Sequence, residues 1–425
     1  IENYRFQTTG LYGGIGAVIR KVGDKTVVIE PYLNFPAYKA GMRAGDLLLQ
    51  INDESVSGKS SDDISKILKG SPGTTVKVTI QHPDKNTPET FTLTREEIKV
   101  SSVPYYGMLN DHIGYIRLTQ FTDKCSQEVA VALNDLKNKN DLQGLVFDIR
   151  GNPGGLVNEA VNIANIFLDK GTAVVSTKGK VENWNKTYTA LNVPIDTKLP
   201  LVILANSGSA SASEIVSGCM QDLDRAVILG QKTFGKGLVQ TTEMLSYGTQ
   251  LKVTTAHYYT PSGRCIQALD YSHRNDDGSI GKIPDSLKIA FQTKNGRTVY
   301  DGGGIDPDVK TDAKKLSLIT QTLLSKNLIF DFATQYALQH STIADAKSFV
   351  LTDNDWNDFT GFLNGKDYEY DTKSETELQA FKKIAEDEHY FDEVKTEYET
   401  MMNKISHHTA DDLQNNKAEI LEMIR

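Results

Sequence analysis

Gly144-Leu-Val-Phe-Asp-Ile-Arg-Gly-Asn-Pro-Gly-Gly155 is a short apolar run that ends in a glycine-rich loop. After it, Leu156, Val157, Ala160, Val161, Ala164 and Phe167 recur at helical spacing. A short apolar run bounded by turn residues fits a buried strand, so the stretch reads strand, loop, helix. The same order returns further on. Residues 200–205 read as a strand and 206–209 as a turn. A helix over 212–222 then places Ile215, Val216, Cys219 and Met220 on one face. Repetition of this unit is the βαβ grammar of an α/β core, expected over residues 99–310.

Outward from that core the character changes on both sides. Residues 11–98 predict a small, mostly β module with strands over 26–30, 46–52, 75–82 and 89–94. Thr75-Val-Lys-Val-Thr-Ile alternates as a half-buried strand does. A helix over 62–69 has Ser60 or Ser61 as its cap and Ile64, Ile67 and Leu68 on one face. Residues 1–10 read as the remnant of an N-terminal region. From residue 311 onward there are 22 acids against 12 Lys and Arg, whereas residues 1–310 are close to neutral. That shift marks a boundary, and the spacing of Leu316, Ile319, Leu323 and Leu324 predicts a helical region over 311–425. Its acids read as solvated helix faces.

The chain has 425 residues, 24% of them charged, and a formal net charge of −9. Such a balance excludes wholesale disorder and argues against a nucleic-acid partner held by bulk electrostatics. No apolar run approaches the ~18 residues of a membrane span. Cys125, Cys219 and Cys265 are far apart and show no metal-ligand or CxxC spacing. The chain opens on Ile1 without a targeting signal, and a signal segment is expected to be missing from it.

Four stretches bear on chemistry. Gly230-Gln-Lys-Thr-Phe-Gly-Lys236 fits the spacing of a phosphate-binding loop, but Gly237 stands where Ser or Thr should bind magnesium, and a strand follows instead of a helix. Nucleotide binding is therefore not expected. Asn206-Ser-Gly-Ser-Ala-Ser-Ala-Ser-Glu214 reads either as a capping turn or as a nucleophilic serine at a helix N-terminus, where backbone N–H groups favour an oxyanion. A serine needs a base. His257 is the nearby histidine and sits in a predicted strand. A lysine, with an ordinary pKa of ~10.4, must be desolvated to serve instead. Lys236 lies between two glycines in an apolar setting, and Gln240, four residues on, points to the same face of an extended segment. The plain alternative for Lys236 is a solvent-exposed hairpin lysine. In 148–155, Gly154 or Gly155 offers a backbone donor or merely closes a tight turn. Tyr12-Gly-Gly-Ile-Gly16, ahead of the β module, is either an ordinary turn or a cradle for a terminal carboxylate.

Together these stretches resemble the carboxy-terminal processing proteases, the PDZ-containing S41 serine peptidases. Pro36-Ala-Tyr-Lys-Ala-Gly-Met-Arg-Ala-Gly-Asp46, Gly114-Tyr-Ile-Arg-Leu-Thr-Gln-Phe121, Tyr258-Tyr-Thr-Pro-Ser-Gly-Arg264 and Gly304-Ile-Asp-Pro-Asp308 extend the likeness over roughly residues 8–310. The resemblance implies an α/β fold: a crotonase- and ClpP-like S41 core with a mostly β PDZ domain and a helical C-terminal region. It implies Ser211 as nucleophile, Lys236 as base and Gln240 as its orienter. The amides of Ala212 and of Gly154 or Gly155 would form the oxyanion hole. Gly14, Ile15 and Gly16 would bind the substrate tail, while Glu214 and Asp222 would be structural. Cys265 departs from the serine common at its position. Protein substrates with apolar C-termini, no cofactor or metal, self-association and a periplasmic or envelope location follow from the same resemblance. Its rivals are an inactive tail-binding scaffold, a crotonase-like acyl-CoA enzyme and a Ser–His hydrolase using His257.

Overall fold

The computed structural model describes residues 6, 8–275, 277–340, 342–406 and 408–425, so the N-terminal remnant expected over 1–10 lies largely outside the described residues. Two compact units divide the chain: residues 1–12 with 99–313, and residues 13–98 with 314–425.

In the second unit, β1 (Ala17–Val22), β2 (Lys25–Pro31), β3 (Leu47–Ile51), β4 (Thr75–Gln81) and β5 (Glu89–Thr94) form an antiparallel sheet in that order. Val76, Val78 and Ile80 of β4 point into a core with Ile15, Val28, Leu48 and Ile51, as strict alternation requires. Helix α1 (Ser61–Leu68) starts at Ser60, whose Oγ accepts the Asp63 N–H at 3.2 Å. Its Ile64 and Leu68 close the same core.

The first unit is built on a six-stranded sheet. Strands β6 (Tyr105–Met108), β7 (Ile113–Arg117), β8 (Gly144–Asp148), β11 (Leu201–Ala205), β12 (Val227–Gly230) and β15 (Val309–Lys310) lie side by side in this sequence. Only the β6–β7 pair is antiparallel. Helices α2 (Cys125–Lys139), α3 (Val157–Phe167) and α4 (Ala212–Asp222) make the crossovers. All eleven residues of α4 are buried, and its Ala, Ser and Gly positions leave room for close neighbours. A Cβ on Gly218, for instance, would press on Ile305 and Thr260. A second, four-stranded sheet has the order β10 (Lys186–Thr189), β9 (Ala173–Lys178), β14 (Gln250–Tyr259), β13 (Leu238–Met244). β13 is thus an edge strand, and it begins two residues after Lys236.

Residues 314–425 are helical, as the sequence predicts. Helices α5 (Leu318–Ser325), α6 (Leu328–Gln339), α7 (Asp353–Phe362), α8 (Lys373–Asp387), α9 (Phe391–Ile405), α10 (Thr409–Asn415) and α11 (Lys417–Ile424) follow one another. Ile319, Leu323, Phe332, Trp356, Phe359 and Ile420 form their core, while Leu324 stays partly exposed. Within the same unit Gly45, just ahead of β3, lies directly against Thr334 of α6, with no space for a Cβ between them.

Candidate active site

The serine-rich turn sorts itself by hydrogen bonding. Ser209 Oγ donates to Ile149 O at 2.8 Å, Ser213 Oγ to Asn152 O at 2.9 Å and Ser217 Oγ to Ser213 O at 2.9 Å. Those hydroxyls tie α4 to the 149–152 loop and to itself. Ser211 is different. It stands at the N-terminus of α4 with φ 55 and ψ −113, a conformation costly for any residue with a Cβ, and lines a cleft of about 470 Å³. Strain of ~1–3 kcal/mol persists only where the surroundings over-determine it.

Glu214 supplies much of that determination. Its Oε2 accepts the N–H of Ser211 at 2.9 Å and that of Lys236 at 2.8 Å. Its Oε1 accepts the Gly235 N–H at 2.7 Å and the Thr233 hydroxyl at 2.6 Å. Burial pushes this carboxyl above its usual range; the hydrogen bonds pull the other way without cancelling it. Further along, Gly237 N–H donates to Gln267 Oε1 at 2.8 Å, and Gly237 O accepts the Tyr258 N–H at 2.8 Å. The loop carrying Lys236 is therefore fastened on both sides of the lysine.

Lys236 is half-buried and Gln240 exposed, and both line the Ser211 cleft together with Gly154, Gly155, Tyr258 and Lys252. Among the described residues no hydrogen bond joins the Lys236 amine to Ser211 or to Gln240. The phosphate-loop spacing at 230–236 leads into β13, an arrangement with no helix N-terminus for a phosphate. His257 is exposed on β14 and lines a neighbouring cavity instead of the cleft.

Two amides face the question of the oxyanion. Ala212 N–H opens helix α4, and it has no acceptor among the described residues. The Gly154 N–H donates to Asn152 Oδ1 at 2.9 Å. The Gly155 N–H has no such partner among the described residues. Gly154 acts by its lack of a side chain: a Cβ there would stand 2.6 Å from Ala210 O and 2.8 Å from Ser211 Cβ. Asp222, at the other end of α4, pairs with the buried Arg264 at 2.7 Å and accepts the Ser262 N–H at 3.0 Å, a fastening role remote from the cleft.

In the second unit, Gly14 and Ile15 are buried and Gly16 turns with φ 72. Carbonyls anchor this loop: Gly13 O accepts Gly70 N–H at 3.1 Å, Ile15 O accepts Ala37 N–H at 2.9 Å and Gly16 O accepts Tyr32 N–H at 2.8 Å. The loop so meets the C-terminal end of α1, where Arg95 donates to Ile67 O and Leu68 O at 2.8 and 3.0 Å. Glu214, Thr233 and Tyr258 are the site residues whose parts the sequence does not disclose. Their partners lie far off in the chain, and only the serine-to-lysine order hints that something must join the two loops.

Residues 112–272 match the sequence profile of peptidase family S41, residues 27–82 that of a PDZ domain, and residues 319–425 that of the "probable PDZ-protease, C-terminal helical domain". The chain is 38% identical over 271 residues to a carboxy-terminal-processing protease of Bartonella bacilliformis, covering 63% of this chain and 62% of that protein. A probable CtpA-like serine protease of Staphylococcus epidermidis is 35% identical over 333 residues, covering 78% of this chain and 65% of the relative. Among solved structures, the photosystem II D1 C-terminal processing protease is 30% identical, with a TM-score of 0.39 over 72% of this chain and 74% of that one. The chain thus spans 62–65% of the length of these curated relatives. Through its α/β core, PDZ domain and helical C-terminal domain, the chain is thus similar to the PDZ-bearing, carboxy-terminal-processing proteases of peptidase family S41.

Proposed function

We propose that this chain is a serine endopeptidase that takes the C-terminal tails of protein substrates in its PDZ domain and hydrolyses peptide bonds with a Ser211/Lys236 dyad. The reading divides the chain into a PDZ domain over 11–98, a peptidase core over 99–310 and a helical region over 311–425. One observation carries it: a strained serine and a lysine line the same cleft, with their backbones held on one carboxylate oxygen.

The chemistry runs as acyl transfer. Neutral Lys236 Nζ accepts the Ser211 hydroxyl proton as Oγ attacks the scissile carbonyl carbon. The carbonyl oxygen, now an oxyanion, lies between the N–H groups of Ala212 and Gly155 at the N-terminus of α4. Collapse expels the amine, which takes the proton from Lys236, and leaves an ester on Ser211. Water gives a proton to Lys236 and attacks that ester; collapse then releases the new carboxyl end, and the departing Ser211 Oγ takes the proton back from Lys236. Gln240 orients the lysine amine. No step needs a metal or a nucleotide. Gly14, Ile15 and Gly16 hold the tail's carboxylate, and an extended tail pairs with the β-sheet edge beside them. By the same reading the enzyme self-associates and works in the periplasm or cell envelope.

The test is degradation of an unstructured protein with an apolar C-terminal tail, from pH 6 to 9, by the wild type, Ser211→Ala and Lys236→Ala. Loss of cleavage in both variants with tail binding retained supports the dyad. The absence of a Lys236–Ser211 hydrogen bond favours one second reading, a tail-binding scaffold. A wild type that binds tails and never cuts them, at any substrate concentration or pH, establishes that reading.

A further inference from the structure

Asn152 lies behind the wall that Pro153, Gly154 and Gly155 give the Ser211 cleft, and it is fully buried. A buried amide must find partners at both its ends. Its Oδ1 accepts the Gly154 N–H at 2.9 Å, and its Nδ2 donates to Leu118 O at 2.9 Å. One partner is a donor and the other an acceptor, so only an amide in this orientation meets both. The main chain of the same residue holds the other loop. Its carbonyl accepts the Ala210 N–H at 3.0 Å and the Ser213 hydroxyl at 2.9 Å, the residues on either side of Ser211 and Ala212. Asn152 therefore joins the glycine loop to the serine turn.

That joint matters most at the peptide between Gly154 and Gly155. Two glycines, at φ 97 and 150, offer no side chain to stop this peptide turning over. It is pinned instead at both ends of Gly154: the N–H by Asn152, and the carbonyl by the Phe121 N–H at 3.0 Å. A trans peptide sends its N–H opposite to its C=O, so the second bond turns the Gly155 N–H away from Phe121. Leu118 and Phe121 belong to one short stretch, so both pins refer the loop to the same piece of backbone. We infer that Asn152 is a positioning residue for the oxyanion. Its side chain sets the Gly155 amide and its carbonyl sets the Ala212 amide, so the two N–H groups keep a fixed spacing around Ser211.

The inference rests on the reading of Ser211 as nucleophile, and its test separates the two. The full chain is assayed for kcat and KM on a peptide spanning one bond that it cuts, and for affinity towards the matching peptide boronic acid. Addition of Ser211 Oγ to the boron gives a tetrahedral anion with an oxygen where the oxyanion forms. Asn152→Ala is expected to lower kcat about 100-fold, as loss of one oxyanion donor does, with KM within about threefold and the boronate weakened in step with kcat. Asn152→Ser, whose hydroxyl can still accept the Gly154 N–H, is expected to recover about tenfold of that loss. A part confined to folding predicts a lower melting temperature with kcat per boronate-titrated serine unchanged. That result overturns the inference, and so does a fall in kcat that the boronate does not follow. Should Asn152→Ala not fold, Asn152→Ser decides alone: its kcat and boronate affinity must fall together by about tenfold, and wild-type values overturn the inference. A Ser211→Ala variant that binds the boronate as tightly as the wild type overturns the nucleophile reading and the inference with it. Wild-type cleavage by Lys236→Ala overturns the dyad and leaves the Asn152 result standing.

Discussion

The backbone N–H groups of Ser211 and Lys236 end on the same atom, Oε2 of Glu214, at 2.9 and 2.8 Å. Two loops distant in the chain thus share one acceptor, and the other oxygen of that carboxylate is filled by Gly235 and Thr233. Glu214→Gln keeps the shape and gives up one oxygen. Two buried donors then face an NH₂ group, at a cost of ~1–3 kcal/mol for each group left unsatisfied. The expected result is a lower melting temperature of the peptidase unit and a loss of kcat of at least about tenfold, read by calorimetry and turnover on one preparation.

Ser211 stores strain that a glycine would release. Ser211→Ala keeps the Cβ and the strained turn, so the melting temperature should stay within about 1 °C. Ser211→Gly abolishes the same activity yet relieves ~1–3 kcal/mol of strain, against ~0.5–1 kcal/mol of added backbone freedom in the unfolded chain. A melting temperature higher by about 2–4 °C than that of Ser211→Ala is expected. Equal melting temperatures for the two variants would show that the turn is not strained.

Gly154 stands where a methyl group has no room, with φ 97 and the Ala210 carbonyl 2.6 Å from the place of a Cβ. Gly154→Ala must push the 151–155 loop off the Ser211 turn. It should reduce cleavage by more than about 100-fold and leave peptide-tail binding by residues 13–98 unchanged, as fluorescence anisotropy with a labelled tail would show. Retained cleavage would mean that the loop and the serine turn move apart freely.

Asp196 gives a prediction in pH. Burial alone would raise its carboxyl, but Lys137 Nζ at 2.6 Å and the Leu199 and Lys198 amides at 2.8 and 2.9 Å hold it down to about 2. A carboxyl depressed by folding stabilises the fold fully above its unfolded value of ~3.9 and loses that contribution as pH falls towards 2. The stability difference between wild type and Asp196→Asn should therefore be constant from pH 7 to about 5 and shrink below about 4. Urea unfolding at each pH measures it, and a difference that grows on acidification contradicts the assignment.

Local pattern made much of this molecule legible. The helix predicted over 212–222 spans Ala212–Asp222, and the strand predicted over 89–94 spans Glu89–Thr94, because apolar period and turn residues agree there. Lys236 stands out by residue type and setting, between two glycines ahead of a strand, whereas Ser211 is picked from the serine-rich turn 206–214 only by the family resemblance. Which glycine amide remains open could not be read. It depends on Asn152 folding back onto Gly154, a choice made by side-chain geometry. Glu214 looked structural, and it is, but the sequence does not say that it joins the serine turn to the lysine loop. The pairing of residues 13–98 with 314–425 in one unit was equally hidden. A composition break near 311 separates segments; it does not say which of them meet again.

That pairing has a consequence for how the chain is made. Segment 13–98 leaves the ribosome early, and its counterpart emerges only after residue 313 has been synthesised. Meanwhile Gly45 waits without Thr334, with an uncovered backbone at the start of β3. Until residues 314–425 are in place the β module keeps one bare flank at Gly45, whether the chain folds as it is made or after transport to another compartment.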